Sequence, residues 1–124
     1  MNDEVPPKPA AAMTPVEQFK ALVEEMLARS DATYGNDESK GARRMFGSTS
    51  IKTSGKMFAF LHKKERLVVK LPEARVNALV EAGRGTRYDP GDGRLQREWF
   101  ETSSMDAADW LALATEAEAF VAKR

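Results

Sequence analysis

The stretch ARRMFGSTSIKTSGKMFAFLHKKERLVVKLP, residues 42–72, decides the fold class. Its apolar side chains alternate with polar ones, which is the period of two that β-strands show. The pattern predicts three successive strands, over residues 42–52, 56–64 and 66–72. Residues 53–55 supply a tight turn between the first two strands, and a basic tip joins the second pair. We therefore expect an antiparallel meander in the middle of the chain.

The glycines of this stretch invite comparison with a phosphate-binding loop. A Walker-type loop needs four residues between its glycines, then Lys and Ser or Thr, followed by a helix. Here seven residues separate Gly47 from Gly55, and Lys56 is followed by Met57 and a strand. A Gly-x-Gly-x-x-Gly dinucleotide fingerprint does not occur. The sequence predicts a hairpin at this position, and we expect no cofactor.

Helical periodicity flanks the strands. Over residues 14–30, Thr14 is a predicted N-cap, Pro15 suits the first helical position, and Glu17 completes a capping box. A second helix is predicted over residues 72–83, ending at Gly83, and a third from about Met105 to Ala122. The predicted core positions are Val16, Phe19, Val23, Met26 and Leu27 in the first helix, Val76, Leu79 and Val80 in the second, and Trp110, Leu113, Ala117, Phe120 and Val121 in the third.

The remaining segments complete the expected order of elements. Residues 86–103 read as a second hairpin around a Pro- and Gly-rich turn at 89–93, and residues 31–41 read as a solvated loop. The predicted order is α-βββ-α-ββ-α, which is an α+β domain of two layers with an antiparallel sheet. Residues 14–124 are expected to form a single domain, and residues 1–13, rich in Pro and Ala, a disordered leader.

Composition limits the classes of function. The chain has 124 residues and no cysteine, so disulfides and thiolate metal sites are excluded. No apolar run approaches the roughly 18 residues that span a bilayer. The first residues lack the basic and apolar regions of a secretory signal. A cytoplasmic protein without membrane contact is the expectation.

The charges are unevenly distributed although their sum is zero. Residues 1–40 have a net charge of −4, residues 41–100 of +7, and residues 101–124 of −3. One interpretation is that acidic helices flank a basic sheet and pair with it. The other is that the basic middle segment forms a patch for an anionic partner.

Five short motifs follow one another through the chain. They are Met45-Phe46-Gly47, Gly55-Lys56-x-Phe58-Ala59, Leu67-Val68-x-Lys70-Leu71, Arg97-Glu98-Trp99, and Trp110 with Glu116-Ala117. In their order and spacing the chain after residue 13 resembles the TfoX N-terminal domain family, which is related to the MmcQ/YjbR-like proteins. The resemblance implies an α+β fold. Longer members of the family regulate natural competence, and YjbR-like relatives have been suggested to bind DNA. The family brings no established catalytic residues.

Catalytic and metal chemistry find little support in the sequence. His62 is the only histidine, and neither an orienting partner nor a set of converging ligands is visible beside it. Asp89 and Asp92 flank a Pro-Gly turn and lack the calcium-loop pattern, so Asx-turn hydrogen bonds explain them. We expect no enzyme and no metal site.

Alternation along the strands predicts which side chains share a face of the sheet. Aliphatic sets such as Met57, Ala59 and Leu61 are expected to meet the helices. The opposite face would combine aromatic side chains with Arg66, Lys70 and Arg97. A single bulge near residues 97–100 would exchange Trp99 and Phe100 between faces, so the face of Trp99 stays open. The candidate interface residues are Phe58, Phe60, Val68 and Trp99.

A monomer rarely leaves so many aromatic side chains in water, so this face should be covered. The cover could be a helix or the leader of the same chain, a second copy packed face to face, or a nucleic acid. The first functional hypothesis is a non-enzymatic protein-interaction or regulatory module that self-associates as a homodimer. The second is a nucleic-acid-binding module, and the third is an enzyme of unfamiliar type. The candidate nucleic-acid-binding residues are Arg43, Arg44, Lys63, Lys64, Arg66, Arg84, Arg87 and Arg97.

Overall fold

The computed structural model describes residues 13–30, 32–34, 50–63, 65–90 and 96–123. These ranges contain three helices and six strands. The helices are α1 (Pro15–Arg29), α2 (Glu73–Glu81) and α3 (Ala107–Ala122). The strands are β1 (Thr33–Tyr34), β2 (Ser50–Thr53), β3 (Lys56–His62), β4 (Arg66–Lys70), β5 (Gly85–Arg87) and β6 (Trp99–Thr102). The predicted α+β class is confirmed.

The six strands form one sheet in the order β1-β2-β3-β4-β6-β5, and all neighbours are antiparallel. The meander β2-β3-β4 and the pairing of β5 with β6 agree with the prediction. Residues 42–49 of the predicted first strand, and the turn residues 91–95 of the second hairpin, lie outside the described residues. Because β6 lies between β4 and β5, both of its edges are paired and it is not an edge strand.

Strand β1 corrects the prediction of a solvated loop over residues 31–41. Thr33 pairs with Lys52 and Tyr34 pairs with Ile51. Both residue types favour strands, and the Tyr34 ring lies 6.2 Å from the ring of Phe19 on α1. Contact with the helix and the edge of β2 thus overrides the loop signals of the surrounding Gly, Asn and Asp.

The helix boundaries follow their capping residues. The Thr14 hydroxyl accepts a hydrogen bond from the Glu17 amide at 3.1 Å, and the Glu17 carboxylate accepts one from the Thr14 amide at 3.0 Å. Asp106 caps α3 by accepting from the Ala108 amide at 2.7 Å. Gly83 has a φ of +78° directly after α2, where residues with a side chain are strained. These local signals were readable from the sequence.

The helices cover one face of the sheet, here called the inner face. Helix α3 packs across β2, β3 and β4, α1 packs on α3, and α2 lies against β5. The strand residues of this core are fully or almost fully buried, and they are Ile51, Phe58, Ala59, Leu61, Leu67, Val69 and Phe100. Trp110 of α3 is also fully buried, and its indole N–H donates to the Ser104 carbonyl at 2.7 Å. Its polar group is therefore satisfied inside the core.

The buried side of α1 differs from the prediction. Val16 and Leu27 were expected in the core but are 36% and 43% exposed. Gln18 and Leu22 are buried on that side. The Gln18 side chain donates to the Met105 carbonyl at 2.8 Å, so the hydrogen bond offsets the cost of burying its amide. A polar residue that finds a partner can thus replace an apolar one in the seam between helices.

A β-bulge in β3 changes the faces of its first residues. Ile51 pairs with Ala59, whereas Lys52 pairs with Met57, so β3 holds one extra residue between these pairs. The extra residue is Phe58, which is fully buried and belongs to the core together with Ala59. Met57 is 38% exposed. The prediction that Met57 faces the helices and Phe58 the opposite side is wrong, because strict alternation fails across a bulge.

In the part of the chain described here, no helix combines the length and the apolar character needed to cross a bilayer.

Candidate interaction face

The face of the sheet opposite the helices is here called the outer face. Cross-strand pairs place their side chains on the same face, and three rows of pairs define it. Phe60, Val68 and Glu101 form the middle row, Lys70 and Trp99 form the row on one side of it, and His62 and Arg66 form the row on the other side. The structure therefore places Trp99 on the outer face and Phe100 on the inner face.

Four rings make a connected cluster on the outer face. Phe60 meets Tyr88 edge to face at a centroid distance of 5.2 Å, and it meets Trp99 at 5.5 Å. The His62 ring meets Tyr88 at 5.0 Å and 89°. Each of the four side chains is partly exposed. Edge-to-face pairs contribute about 0.5–1.5 kcal/mol each beyond area burial, so the cluster holds its own shape.

His62 has an orienting partner, although none is visible beside it in the sequence. Its Nδ1 lies 2.9 Å from the Glu101 carboxylate, and the two side chains are 21% and 16% exposed. The two residues belong to the strands on either side of β4, so their hydrogen bond passes over β4 beside Val68. The pairing was invisible in the sequence because 39 positions separate the residues. In the described part of the chain, this ring accepts or donates no other hydrogen bond.

Tyr88 completes the cluster from the segment after β5. Its amide donates to the Trp99 carbonyl at 2.8 Å, which fixes the backbone beside β6. Burial raises the pKa of the Tyr88 phenol, and the negative charges of Glu101 and Asp89 raise it further. The phenol therefore stays protonated to a higher pH than a free tyrosine. Sequence reasoning missed Tyr88, since its position beside a Pro-Gly turn signals loop geometry alone.

Lys70 adds a positive charge to this aromatic surface. Its ammonium lies 5.2 Å from the centroid of the Trp99 ring and 3.8 Å from the Glu98 carboxylate. Cation–π contact and the ion pair together hold the long side chain along the sheet. The outer face thus carries both a cation and carboxylates among its rings.

The four predicted interface residues separate into two classes. Phe60 and Trp99 lie partly exposed on the outer face, as predicted. Phe58 lies in the core, because the bulge turns it inward. Val68 does lie on the outer face, but it is 0% exposed, since Phe60 and Glu101 flank it and the His62–Glu101 bridge crosses it. Val68 therefore packs beneath the exposed side chains of the outer face and is not itself available for contact.

Three of the predicted nucleic-acid-binding residues lie at one end of the sheet. Lys63 is in the turn between β3 and β4, Arg66 begins β4, and Arg84 precedes β5. The Arg84 carbonyl accepts from the Ser103 amide, and Ser103 follows β6 beside the start of β4. Two strand spacings of about 4.8 Å thus separate the backbones of Arg66 and Arg84. All three side chains are exposed, and none forms an ion pair with a described residue.

The other candidate basic residues do not join this end. Arg87 pairs with Phe100 toward the opposite end of the sheet, and its guanidinium donates to the side chain of Asn77 on α2. Arg97 is exposed ahead of β6, also at the opposite end. Arg43, Arg44 and Lys64 lie outside the described residues. The eight residues therefore do not form one continuous patch in the part that the structure describes.

Part of the positive charge pairs within the domain. Arg75 of α2 binds Glu116 of α3 through its Nε at 2.8 Å, which links a residue of the basic middle segment to the acidic end of the chain. Among the described residues, no group of three His, Asp or Glu side chains could hold a metal ion.

Comparison with known proteins adds no relative. No protein-family model, curated protein or solved structure matches this chain.

Proposed function

We propose that this chain is a non-enzymatic binding module that self-associates through its outer face. The observation that carries the proposal is the partly exposed ring cluster of Phe60, His62, Tyr88 and Trp99. Tyr and Trp are enriched at the energetic centres of protein interfaces, because a large ring buries much area at small entropic cost. The rings are held by one another, so little further ordering is needed on binding.

Charge favours a second copy as the partner. A two-fold interface brings the same surface from both chains together, so residue i of one copy meets residue j of the other, and the reverse. The outer face carries the cations Lys70 and Arg66 and the carboxylate of Glu101, and the Glu98 carboxylate lies 3.8 Å from the Lys70 ammonium. A cation on one copy can thus meet a carboxylate on the other. A surface of a single sign would repel itself.

The same charges disfavour phosphate groups on this face. A nucleic-acid site of the stacking type combines aromatic side chains with a positively charged groove. Here the Glu101 carboxylate lies among the rings and is engaged with His62, and the Glu98 carboxylate lies beside Lys70. A polyanion would therefore meet repulsion where a protein surface of mixed charge would not.

The test is the mass of the protein in solution over a range of concentrations. Light scattering is expected to report twice the 13.8 kDa of one chain at high concentration. Tyr88→Ser should shift the protein toward monomer, because it removes the ring that joins Phe60 to His62. Tyr34→Ser is the matched control, since Tyr34 is 39% exposed on β1, away from the cluster. Circular dichroism verifies that both variants remain folded.

A charge exchange sharpens the test. Lys70→Glu should weaken association, and Lys70→Glu combined with Glu98→Lys should restore it, because the exchange regenerates one cation and one anion on the face. A wild-type protein that stays monomeric at the highest concentration would overturn the proposal. Equal loss of association in the two tyrosine variants would also overturn it.

A second candidate function is nucleic-acid binding at the end of the sheet that carries Lys63, Arg66 and Arg84. Their exposure without a carboxylate partner among the described residues favours it. Anisotropy of labelled duplex and single-stranded DNA should then rise at low salt and fall steeply as salt increases. Replacing the three residues by Gln should abolish binding, whereas Lys20→Gln on α1 should leave it unchanged. No binding at low salt would remove this candidate, because electrostatic attraction is strongest there.

A further inference from the structure

The bulge in β3 opens a gap in the outer face. In a regular ladder the residue of β3 opposite Lys70 would be Phe58, since Ala59 pairs with Val69. Phe58 instead points into the core and is fully buried. The outer face beside Lys70 and Trp99 therefore lacks the side chain that alternation would supply there. A single inserted residue thus both fills the core and leaves space on the surface.

Beside this gap, Lys70 and Trp99 line a groove of about 400 Å³ at the end of the sheet. The described side chains that line it are Lys56, Met57, Lys70, Trp99 and Val121. Three of the five are apolar, and Val121 comes from the last turn of α3. Small-molecule sites have volumes of roughly 300–1,000 Å³ and apolar walls with a few polar groups. The groove has the size and the wall composition of such a site.

The polar groups of the groove are both cationic. Lys56 begins β3, is exposed, and forms no ion pair with a described residue. Lys70 is held against the Trp99 ring, with its ammonium 5.2 Å from the ring centroid. Glu98 lies 3.8 Å from that ammonium, so it neutralises one of the two lysines. Among the described residues, one positive charge of the groove therefore remains uncompensated, and it matches a ligand with one negative charge.

The walls favour an aromatic ligand over an aliphatic one. Trp99 presents a partly exposed indole, and Met57 is 38% exposed beside it. Aromatic rings stack on or abut indole rings, and thioether sulfur contacts ring edges favourably. A flat ring between these two side chains would also cover the apolar surface that the bulge exposes.

We infer that the groove formed by Lys56, Met57, Lys70, Trp99 and Val121 is a binding site for a small aromatic monocarboxylate. The ring packs between Trp99 and Met57, and the carboxylate accepts hydrogen bonds from the two lysines. All five residues come from one chain, so ligand binding does not require a second copy, although Lys70 and Trp99 are shared with the outer face through which we propose self-association.

The experiment titrates the wild-type protein with 2-naphthoate and follows tryptophan fluorescence. Trp99 borders the groove, whereas Trp110 is fully buried in the core, so quenching reports on the groove. Saturable quenching is expected, with an affinity roughly tenfold or more above that for the uncharged 2-naphthamide, because only the carboxylate can accept charge-assisted hydrogen bonds from the two lysines. Equal affinity for the two compounds would overturn the inference, and so would the absence of saturable quenching.

Variants locate the site. Lys70→Gln and Lys56→Gln should each weaken 2-naphthoate binding roughly tenfold, whereas Lys20→Gln should leave it unchanged. Glu98→Gln should strengthen binding, because it removes the carboxylate that competes for Lys70. Unchanged affinity in both groove lysine variants would overturn the site.

The 2-naphthoate site and the proposed self-association can be tested separately. Tyr88 does not line the groove, so Tyr88→Ser should become monomeric and still bind 2-naphthoate. A Tyr88→Ser protein that is monomeric and has lost 2-naphthoate binding would show that the site needs a second copy, which would overturn the single-chain site.

Discussion

The two faces of the sheet are built by the same strands and have different compositions. On β4, Leu67 and Val69 lie against the helices, while Lys70 lies on the outer face. On β6, Phe100 is fully buried and its neighbour Trp99 is partly exposed. The inner face holds apolar side chains that meet no water. The outer face holds four partly exposed rings, three of which carry polar atoms, together with charged neighbours.

This difference separates stability from recognition. Burial of the inner side chains removes apolar area from water, which is the main favourable term in folding. The outer rings contact one another edge to face and remain partly hydrated, so they contribute less to folding and are accessible to a partner. A substitution on the inner face should therefore mainly affect stability, and a substitution on the outer face should mainly affect binding.

The largest expected effect comes from Phe58, which the β-bulge in β3 turns into the core. Phe58→Ala should lower the free energy of unfolding by about 3–5 kcal/mol, as truncation of a buried Phe does. Phe60→Ala should cost clearly less, because Phe60 is partly exposed and packs against rings that can close over the gap. Urea denaturation of both variants gives the comparison. Strict alternation predicts the reverse order, so a larger loss for Phe60→Ala would contradict the bulge.

The next effect tests how tightly the inner face is filled at its edge. A Cβ at Gly85 would meet the Glu101 carbonyl and lie 2.6 Å from the Phe100 ring. Gly85→Ala should therefore destabilise the protein by about 1–3 kcal/mol through overpacking. The matched control is Thr86→Ala, since Thr86 is exposed on the same strand and should change stability by at most about 0.5 kcal/mol. Equal stability of the two variants would show that β5 can move away from β6.

The sequence predicted the elements other than β1, and most of the inner face, because these depend on local signals. The capping box of Thr14 and Glu17, the helix stop at Gly83 and the alternation in β4 each act within a few residues. The α+β class followed from the order of these elements. The same reasoning missed Gln18, whose burial depends on a carbonyl 87 positions away.

The outer face was harder to predict because its contacts join strands that are distant in the chain. Trp99 and Glu101 share a face by simple alternation, so part of the surface was readable from β6 alone. The partnership of Glu101 with His62 requires β6 to lie beside β4, which no local pattern states. The bulge at Phe58 likewise depends on the packing of its ring in the core. The predicted relation to the TfoX N-terminal domain family stays a prediction.

A smaller effect on stability is expected from the hydrogen bond between His62 and Glu101 on the outer face. His62→Gln removes the hydrogen bond to Glu101 and one ring contact, both at partly exposed positions. Such pairs contribute at most about 1 kcal/mol to stability, so urea denaturation should show a modest loss. Arg75→Gln at the exposed Arg75–Glu116 pair is the control and should cost about 0.5 kcal/mol or less. A loss as large as that of Phe58→Ala would mean that the outer face supports the fold as the core does.

The smallest effect concerns the proton of Tyr88. In a Tyr34→Phe background, alkaline titration of tyrosinate absorbance should place the pKa of Tyr88 above the ordinary value of 10.0. Glu101→Gln should lower this pKa without restoring the ordinary value, because burial is the larger cause and stays in place. An unchanged pKa in Glu101→Gln would mean that the carboxylate does not act on the phenol across the outer face.

The raised pKa of Tyr88 also determines whether the free energy of unfolding rises or falls at alkaline pH. The unfolded chain loses the tyrosine proton near pH 10.0, whereas the folded chain holds it to higher pH. Between the pKa of the unfolded state and that of the folded state, the unfolded state therefore binds fewer protons. The free energy of unfolding should therefore fall as pH rises above the unfolded value, and it should fall less in Tyr88→Phe. Urea denaturation over that interval measures the two slopes. Identical slopes of unfolding free energy against pH in the wild type and Tyr88→Phe would mean that Tyr88 is fully hydrated. The ring cluster would then not differ from an ordinary exposed strand surface.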